Sequence, residues 1–480
     1  MNLDFLNPIL LFPALILFSV AYYLIPARYR WTILLAVSIA FLYWVGSWSI
    51  IILFLNILLN FVVGLQINRQ QSSSRKAWLI AGIVVNLLFL FGFKYFSSLL
   101  GLAGWFERWF GGQAASILFP VGLSFYTLQS ISYLVDLYKG LIPVEKHLGI
   151  FALYQAFFPK IISGPVERGK KLLPQLHNPE KFSLENVYGG ATLLLVGLFK
   201  KVVVADHLLP FVNEIVEEPG TYQGVTLVVG LIFLGFQIFA DFSGYTDIAL
   251  GIAQLLGIRL TPNFKRPYLS DNLVEFWNRW HLSFSTWLRD YIFYPLRRFW
   301  LHKNSSGVAA LILPPLITML ASGIWHGTGW TFVVWGLYHA LFYTLVIVFR
   351  NRKRDASAKP GLFKRIMAIL VNFGVLTFGW LIFRSESLHS AWVIFKNIFV
   401  KSTTLEAILR QIGRVDYLIS VISILLILSI EILIEVRGER FNFAKWPALA
   451  RWSVYLAILL AITLFGVYQK GAGTFIYGSF

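Results

Sequence analysis

Long apolar runs alternate with short polar loops along the whole chain. The runs are about 20 residues long, which is the length that an α-helix needs to cross a bilayer. Basic residues concentrate in the loops, as in 69-RQQSSSRK-76 and 350-RNRKRDASAK-359, and loops rich in lysine and arginine face the cytoplasm. With these loops inside, the pattern predicts twelve spans and places both termini outside. The predicted spans lie near residues 8–25, 31–46, 49–66, 78–98, 117–138, 188–210, 222–240, 308–326, 330–349, 364–384, 417–436 and 452–468.

Two apolar stretches do not fit an ordinary span. The first, 149-GIFALYQAFFPKIISGP-165, contains Pro159 and Lys160, and the second, 241-DFSGYTDIALGIAQLLG-257, opens with two carboxylates. Irregular polar backbone at membrane depth is tolerated only where it is buried in protein or lines a cavity. We therefore predict that both stretches are re-entrant or interfacial pieces lining a central chamber.

Composition supports an all-α polytopic membrane protein. The chain is 57% hydrophobic and 13% charged, whereas about a quarter of the residues of a soluble domain are charged. The net charge of +18 lies mainly in the loops, so it indicates anionic lipid rather than nucleic acid. The absence of cysteine excludes disulfides and thiolate nucleophiles. No internal repeat or long linker divides the chain, and we predict a single domain over residues 1–480.

The longest polar insertion contains 276-FWNRWHLSFSTWLRDYIFYPL-296. Its aromatic residues follow the spacing of one helical face, and they are Trp277, Trp280, Phe284, Trp287 and Tyr291. Its polar residues on the opposite side are Asn278, Ser285 and Arg289. This pattern predicts one amphipathic helix at the cytoplasmic interface. His281 lies at the edge of the apolar stripe and could point into the protein.

A second histidine, His326, lies within an apolar span in 321-ASGIWHGTGW-330. Desolvation keeps such an imidazole neutral at pH 7, which is the state that a general base needs. The alternative is a histidine that is hydrogen-bonded in the bundle core. The neighbouring glycines Gly323, Gly327 and Gly329 would allow close approach of the backbone.

Other polar residues in the spans have less specific interpretations. We expect His339 to be a packing residue with satisfied hydrogen bonds. Asp241 and Asp247 could relay protons; alternatively Ser243 and Asp247 cap a following helix, or Ser243, Tyr245 and Asp247 form part of a chamber wall. No pair of histidines has the spacing of a metal site, and no nucleotide-binding loop or serine-hydrolase elbow is present.

Taken together, five segments resemble the membrane-bound O-acyltransferase family in its bacterial, alginate-acetylating branch. They follow the family order across a core of about residues 115–390. The segments are 158-FPKIISGPVER-168, 240-ADFSGYTDIALGIAQLLGI-258, 276-FWNRWHLSFSTWLRDYIFYPL-296, 323-GIWHGTGWTFVVWGLYHA-340 and 378-FGWLIFR-384. One departure is that Arg297 and Arg298 follow the Tyr-Pro-Leu turn, where many relatives have paired glycines.

The resemblance implies a ring of about twelve tilted helices, with re-entrant pieces, around a central funnel. It places His326 at the family's invariant histidine, as general base, and His281 at the second polar site. The residues that it implies at the substrate chamber are Trp325, Asn278, Arg279, Ser283, Ser243, Tyr245 and Asp247.

The resemblance also implies transfer of an acetyl group from a cytosolic thioester across a bacterial cytoplasmic membrane to a polysaccharide. Acetyl-CoA or an acyl carrier would be the donor, with no permanently bound cofactor or metal. The acyl group would pass to an extracytoplasmic serine acetyltransferase of the SGNH type. Alternatives within the family are D-alanyl transfer to teichoic acid and O-acetylation of peptidoglycan. Alternatives from other classes are a proton-coupled transporter that uses Asp241, Asp247 and His326, and a polysaccharide-export scaffold.

Overall fold

The computed structural model describes residues 8–46, 48–70, 73–96, 120–303, 307–352, 361–400, 413–438 and 446–468, and within them every regular element is a helix. The longer helices are Pro8–Leu24, Arg30–Gly46, Ser49–Arg69, Ser73–Phe91, Leu123–Tyr138, Leu184–Leu198, Val225–Leu255, Val308–His326, Trp330–Arg352, Leu362–Arg384, Arg414–Arg437 and Ala448–Phe465. The shorter ones are Leu148–Ala156, Gly169–His177, Asp206–Glu217, Leu273–Trp277, Leu282–Leu288, Tyr294–Lys303 and Leu388–Asn397, with π-helical turns at Gly92–Phe96, Phe199–Ala205 and Arg289–Phe293 and 3₁₀ turns at Ala27–Tyr29 and Pro267–Leu269. The all-α prediction is confirmed.

Within the described residues, ten helices are long and apolar enough to cross a membrane. All ten coincide with predicted spans, so the chain is a multi-pass membrane protein. The predicted spans at 8–25 and 117–138 correspond to helices of 17 and 16 residues. At 1.5 Å per residue these measure about 25 Å, against about 30 Å of hydrocarbon. Residues 97–98 and 117–119 of the predicted spans lie outside the described residues.

The chain groups into two compact units. The first comprises Met1–Leu194 with Tyr245–Thr261, and the second comprises Leu195–Gly244 with Pro262–Phe480. The basic loop at 350–359 is the most linker-like part of the sequence, but it is too short to divide the chain and lies largely outside the described residues. The prediction of a single domain over residues 1–480 therefore stays a prediction.

In the first unit, the helix Leu123–Tyr138 is buried on almost every side. A network of fully buried side chains ties it to two neighbouring helices. Asn86 donates to Asn60 at 2.7 Å, Asn56 donates to Asn86 at 2.9 Å, and Ser130 donates to Asn56 at 3.0 Å. Hydrogen bonds between polar side chains hold helices together where surrounding lipid provides no hydrophobic driving force.

The stretch predicted to be irregular at 149–165 is broken, as expected. A helix ends at Ala156, and turns follow as far as Ser163. Lys160 lies in these turns with 3% of its surface exposed, and its Nζ donates to Oε1 of Gln129 at 2.5 Å. Burial disfavours the charged amine and lowers the pKa of Lys160 to about 7.

The second predicted irregular stretch, 241–257, is wrong as a separate piece. Val225–Leu255 is one continuous helix of 31 residues, so neither Ser243 nor Asp247 is an N-cap. The helix continues because the charge at Asp241 is compensated within the second unit. Nζ of Lys201 lies 2.6 Å from Asp241 and 2.8 Å from Asp206, and all three side chains are almost fully buried.

Candidate active site

His326 is the last residue of the helix Val308–His326, and 4% of its surface is exposed. The helix ends there because Gly327 adopts an extended backbone, and the next helix begins at Trp330. This tight turn between two apolar helices keeps the imidazole inside the protein rather than in a solvated loop.

Two of the three glycines around His326 allow the close approach expected from the sequence. A Cβ on Gly323 would lie 2.2 Å from the main-chain oxygen of Phe332, and a Cβ on Gly327 would lie 2.0 Å from the ring of Phe332. A Cβ on Gly329 would meet only an ordinary contact at 3.4 Å. Gly323 and Gly327 are therefore needed for the packing around His326, and Gly329 is not.

The ring of His326 is enclosed by aromatic side chains. The distances from its centroid are 4.7 Å to Trp325, 5.3 Å to both Trp335 and Phe383, and 5.7 Å to Phe284. All four contacts are edge-to-face, with interplanar angles between 70° and 87°. Such a surrounding excludes bulk water from the imidazole.

His281 is still more buried, with 1% of its surface exposed. Its ring lies 4.7 Å from that of Phe242 and 5.0 Å from that of Phe284. Burial lowers the pKa of His281 to about 3, because the charged form has lost its hydration. The side chain is therefore neutral at pH 7.

The prediction of one helix over 276–296 is wrong. The segment forms the short helices Leu273–Trp277 and Leu282–Leu288, and His281 lies between them with φ 45° and ψ 52°. A residue in the left-handed region ends one right-handed helix and redirects the next. The aromatic residues are nevertheless buried as expected, apart from the half-buried Tyr291.

The two histidines share a pair of aromatic neighbours. Phe284 stacks on Trp325 with ring centroids 4.3 Å apart. His281 lies 5.0 Å from Phe284 and 6.4 Å from Trp325, and His326 lies 5.7 Å and 4.7 Å from the same two rings. Residues 45 positions apart in sequence are thus brought together around one apolar wall, of which Trp325 is part.

The polar neighbours of His281 in sequence are engaged elsewhere. Asn278 is exposed, and its Nδ2 donates to the main-chain oxygen of Val274 at 3.0 Å. Arg279 forms ion pairs with Glu275 and Glu435. Of the three residues expected at the chamber here, only Ser283 is fully buried. Its Oγ donates to Oδ1 of Asn263 at 2.7 Å.

The expected wall residues Ser243, Tyr245 and Asp247 are divided between the two units. Ser243 belongs to the second unit, and its buried Oγ has no hydrogen-bond partner in the described parts of the chain. Tyr245 belongs to the first unit, where its hydroxyl contacts the backbone of Ile162 and Ser163. Asp247, also in the first unit, is half-buried.

His339 is fully buried, but its hydrogen bonds are not satisfied as the sequence suggested. Neither ring nitrogen has a hydrogen-bond partner among the residues that the structure describes. Its ring packs 4.6 Å from Trp335 and 5.3 Å from Trp277. Trp335 also contacts His326, so His339 lies one aromatic ring behind the candidate general base.

Comparison with known proteins is consistent with this geometry. The profile of "MBOAT, membrane-bound O-acyltransferase family" matches residues 146–392. The chain belongs to this family. It is 36% identical over 407 residues to the protein named probable alginate O-acetylase AlgI of Azotobacter vinelandii, covering 82% of this chain and 78% of the relative. Membership makes the chain an O-acyltransferase.

Other members of the family are also similar to this chain. The peptidoglycan O-acetyltransferase of Helicobacter pylori is 29% identical over 374 residues, with 72% of this chain and 68% of the relative covered. The teichoic acid D-alanyltransferase of Bacillus subtilis is 28% identical over 278 residues, with 56% and 69% covered. The matched family segment includes His281, His326 and His339, the three buried histidines of the described residues.

One contributor to the site, Asn263, and one buried ion-pair partner elsewhere, Lys201, were missed in the sequence. Asn263 lies in a loop 18 positions before His281, and only the folded chain shows that it bonds to the turn after that histidine. Lys201 gave a signal that could have been used. A charged residue inside an apolar span is a functional hypothesis by default, and it required a carboxylate partner such as Asp241.

Proposed function

We propose that this O-acyltransferase moves an acetyl group from a cytosolic thioester to a hydroxyl, for O-acetylation of a cell-envelope or secreted polysaccharide. The observation that supports it most is the packing of His281 and His326 against the same Phe284–Trp325 pair. A buried imidazole next to a second buried polar group is an arrangement suited to proton transfer during acyl transfer.

In the proposed reaction, neutral His326 accepts the proton of the acceptor hydroxyl as its oxygen attacks the thioester carbonyl carbon. The new carbon–oxygen bond forms, the carbon–sulfur bond breaks, and His326 returns the proton to the departing thiolate. His281 orients the acyl group or stabilises the charge that develops on the carbonyl oxygen. The aromatic shell excludes water that would otherwise hydrolyse the thioester.

The donor, partner and location belong to the same proposal. Acetyl-CoA or an acyl carrier carries phosphate, which the basic loops on the cytoplasmic side would attract. The acyl group then passes through the bacterial inner membrane to an SGNH-type serine acetyltransferase outside. A polysaccharide acceptor is supported by the alginate O-acetylase name of relatives that cover most of the chain. The names of more distant relatives support peptidoglycan acetylation and teichoic acid D-alanylation as second candidates.

The test is His326→Gln in the host cell, with His389→Gln as the matched control, because His389 is an exposed histidine. Mild alkali releases ester-linked acetate or D-alanine from envelope and secreted polymers, and chromatography identifies which acid is released. We expect acetate from the wild type and from the control. For His326→Gln we expect the rate of acetyl transfer to fall by about 10²–10⁴-fold, the range for removal of a general base.

Other outcomes separate the alternatives. Release of D-alanine would favour D-alanylation of teichoic acid over polysaccharide acetylation. Acetate found on muropeptides alone would favour acetylation of peptidoglycan. Normal acetate release by His326→Gln would show that His326 is not the base. A fall in the amount of exported polymer, with its acetate content per sugar unchanged, would favour an export scaffold.

A further inference from the structure

Asn263 binds the two residues that follow His281. Its main-chain oxygen accepts a hydrogen bond from the N–H of Leu282 at 2.9 Å. Its side-chain Oδ1 accepts from the N–H of Ser283 at 3.2 Å and from the Ser283 hydroxyl at 2.7 Å. Asn263 is 1% exposed and Ser283 is 3% exposed, so water does not compete for these bonds.

The same loop also binds the chain just before His281. The N–H of Lys265 donates to the main-chain oxygen of Arg279 at 2.9 Å. Residues 263–265 therefore hold the turn on both sides of His281. The three hydrogen bonds on the C-terminal side, to Leu282 and Ser283, are all accepted by Asn263.

The turn needs such support because its backbone is disfavoured. His281 has φ 45°, in the left-handed region where a side chain's Cβ approaches the following carbonyl oxygen. Non-glycine residues persist there only when the surroundings over-determine the conformation. The competing conformation is visible in the sequence, because residues 276–296 have the periodicity of one uninterrupted amphipathic helix.

The choice between these conformations decides where the imidazole points. In the left-handed conformation the ring packs against Phe242 and Phe284 and reaches the Trp325 wall that it shares with His326. In an uninterrupted helix, the direction of the His281 side chain would be set by the regular helical periodicity. Its ring would then leave this position against Phe242, Phe284 and Trp325.

We propose that Asn263 is a positioning residue, which holds the left-handed turn at His281 and thereby keeps the imidazole in the candidate active site. The bonds from Asn263 select this turn against the continuous helix that the local sequence favours. The inference rests on the role in acyl transfer proposed above for His281, but its structural part can be tested separately.

The experiment uses the full chain purified in detergent, with Asn263→Ala and Asn263→Asp. Alanine removes the side-chain acceptor, whereas aspartate retains an acceptor oxygen for Ser283. Asn272→Ala is the matched control, since Asn272 Oδ1 accepts the N–H of Glu275 at 3.0 Å in the same insertion. This control removes a comparable hydrogen bond between an asparagine side chain and the backbone, at a position that does not contact His281 or the residues after it.

Two measurements are made on each variant. Diethyl pyrocarbonate labels accessible neutral imidazoles, and peptide mass spectrometry reads His281 and His326 separately. Transfer from [1-¹⁴C]acetyl-CoA gives kcat and KM, with His281→Ala as the reference for loss of the imidazole.

In Asn263→Ala, we expect diethyl pyrocarbonate to modify His281 severalfold faster than in the wild type, with the rate at His326 unchanged. Its kcat should fall by about 10²-fold, the effect of a small misplacement of a reacting group, with little change in KM. Asn263→Asp and Asn272→Ala should label at His281 like the wild type. Unchanged labelling in Asn263→Ala, or equal labelling in Asn272→Ala, would overturn the inference. Normal transfer by His281→Ala would instead refute the proposed role of His281 and leave the labelling result valid.

Discussion

At the scale of residues, the most informative feature is that the buried side chains of His281 and His326 pack against the same two aromatic rings, Phe284 and Trp325. Burial costs an imidazolium far more than it costs a neutral imidazole. Burial therefore keeps the imidazole of His281 in its neutral form. The low pKa of His281 is a direct consequence of this burial.

The low pKa of His281 predicts a dependence of stability on pH. Burial lowers its pKa to about 3 from the ordinary histidine value of 6.5. Between these pH values the unfolded chain binds a proton here that the folded chain does not, so acid destabilises the folded state. The contribution should approach about 1.4 kcal/mol per pH unit. It is present in full above pH 6.5 and is lost as the pH falls toward 3.

The comparison is wild type against His281→Asn in thermal unfolding from pH 7 to pH 4. Asparagine tolerates the left-handed backbone better than most residues and does not titrate. The variant should lose less stability than the wild type across this range, and other titrating groups cancel in the difference. Parallel curves would show that His281 is not buried as described.

At the scale of elements, the helix Val225–Leu255 shows how an ion cluster changes what a sequence pattern predicts. Two aspartates in 241–247 suggested a break at that point. Lys201, from a π-helical turn about 40 positions earlier, lies within hydrogen-bond distance of Asp206 and Asp241. The ammonium compensates the charge of Asp241, and the helix continues past that residue without a proline to interrupt it.

Lys201→Met should therefore unfold or severely destabilise the protein. Removal of one partner of a buried ion pair costs about 3–5 kcal/mol, because it leaves an uncompensated buried charge. The adjacent Lys200 gives a matched control, since it is only half-buried and lies 5.7 Å from the ring of Phe239.

The measurement is the melting temperature of each variant in detergent at pH 7. We expect a large fall for Lys201→Met and a small one for Lys200→Met. Equal melting temperatures for the two variants would show that the carboxylates do not depend on Lys201. Asp206→Asn should be milder than Lys201→Met, because one ammonium–carboxylate pair remains.

The insertion around His281 shows the reverse case: the sequence pattern predicted a continuous helix, and the structure has a break. Its aromatic periodicity correctly predicted buried rings at Trp277, Trp280 and Phe284. It did not predict the break at His281, because Asn263 bonds to the turn from outside the periodic segment. Hydrophobic spacing reports which side chains are buried, but tertiary hydrogen bonds decide where a helix stops.

At the scale of the whole molecule, the chain is a multi-pass membrane O-acyltransferase. The predicted topology puts loops rich in lysine and arginine inside and the acidic connection 214-EIVEEPG-220 outside. Three predicted spans separate Gln70 from Glu218, so these two exposed residues should face opposite sides of the membrane.

This arrangement can be tested directly, because the chain has no native cysteine. Gln70→Cys and Glu218→Cys are labelled in intact cells with a thiol reagent that does not cross the membrane. Glu218→Cys should be labelled from outside, and Gln70→Cys only after the cells are opened. If both cysteines were labelled from the same side, an even number of segments would cross the membrane between them. At least one of the three predicted spans there would then be wrong.

The sequence by itself determined the fold class and the positions of most spans, and it singled out His281 and His326 as candidates. These follow from local properties: hydrocarbon thickness sets the length of an apolar run, an ionisable residue such as His326 in such a run is unfavourable without a function, and the aromatic spacing around His281 indicates a buried face. Only the tertiary structure decided that His281 and His326 share Phe284 and Trp325, that Lys201 lets a helix continue past Asp241, and that Asn263 holds the turn at His281. Each of these depends on contacts between residues far apart in the chain, and the spacing of apolar residues within one segment carries no information about such contacts.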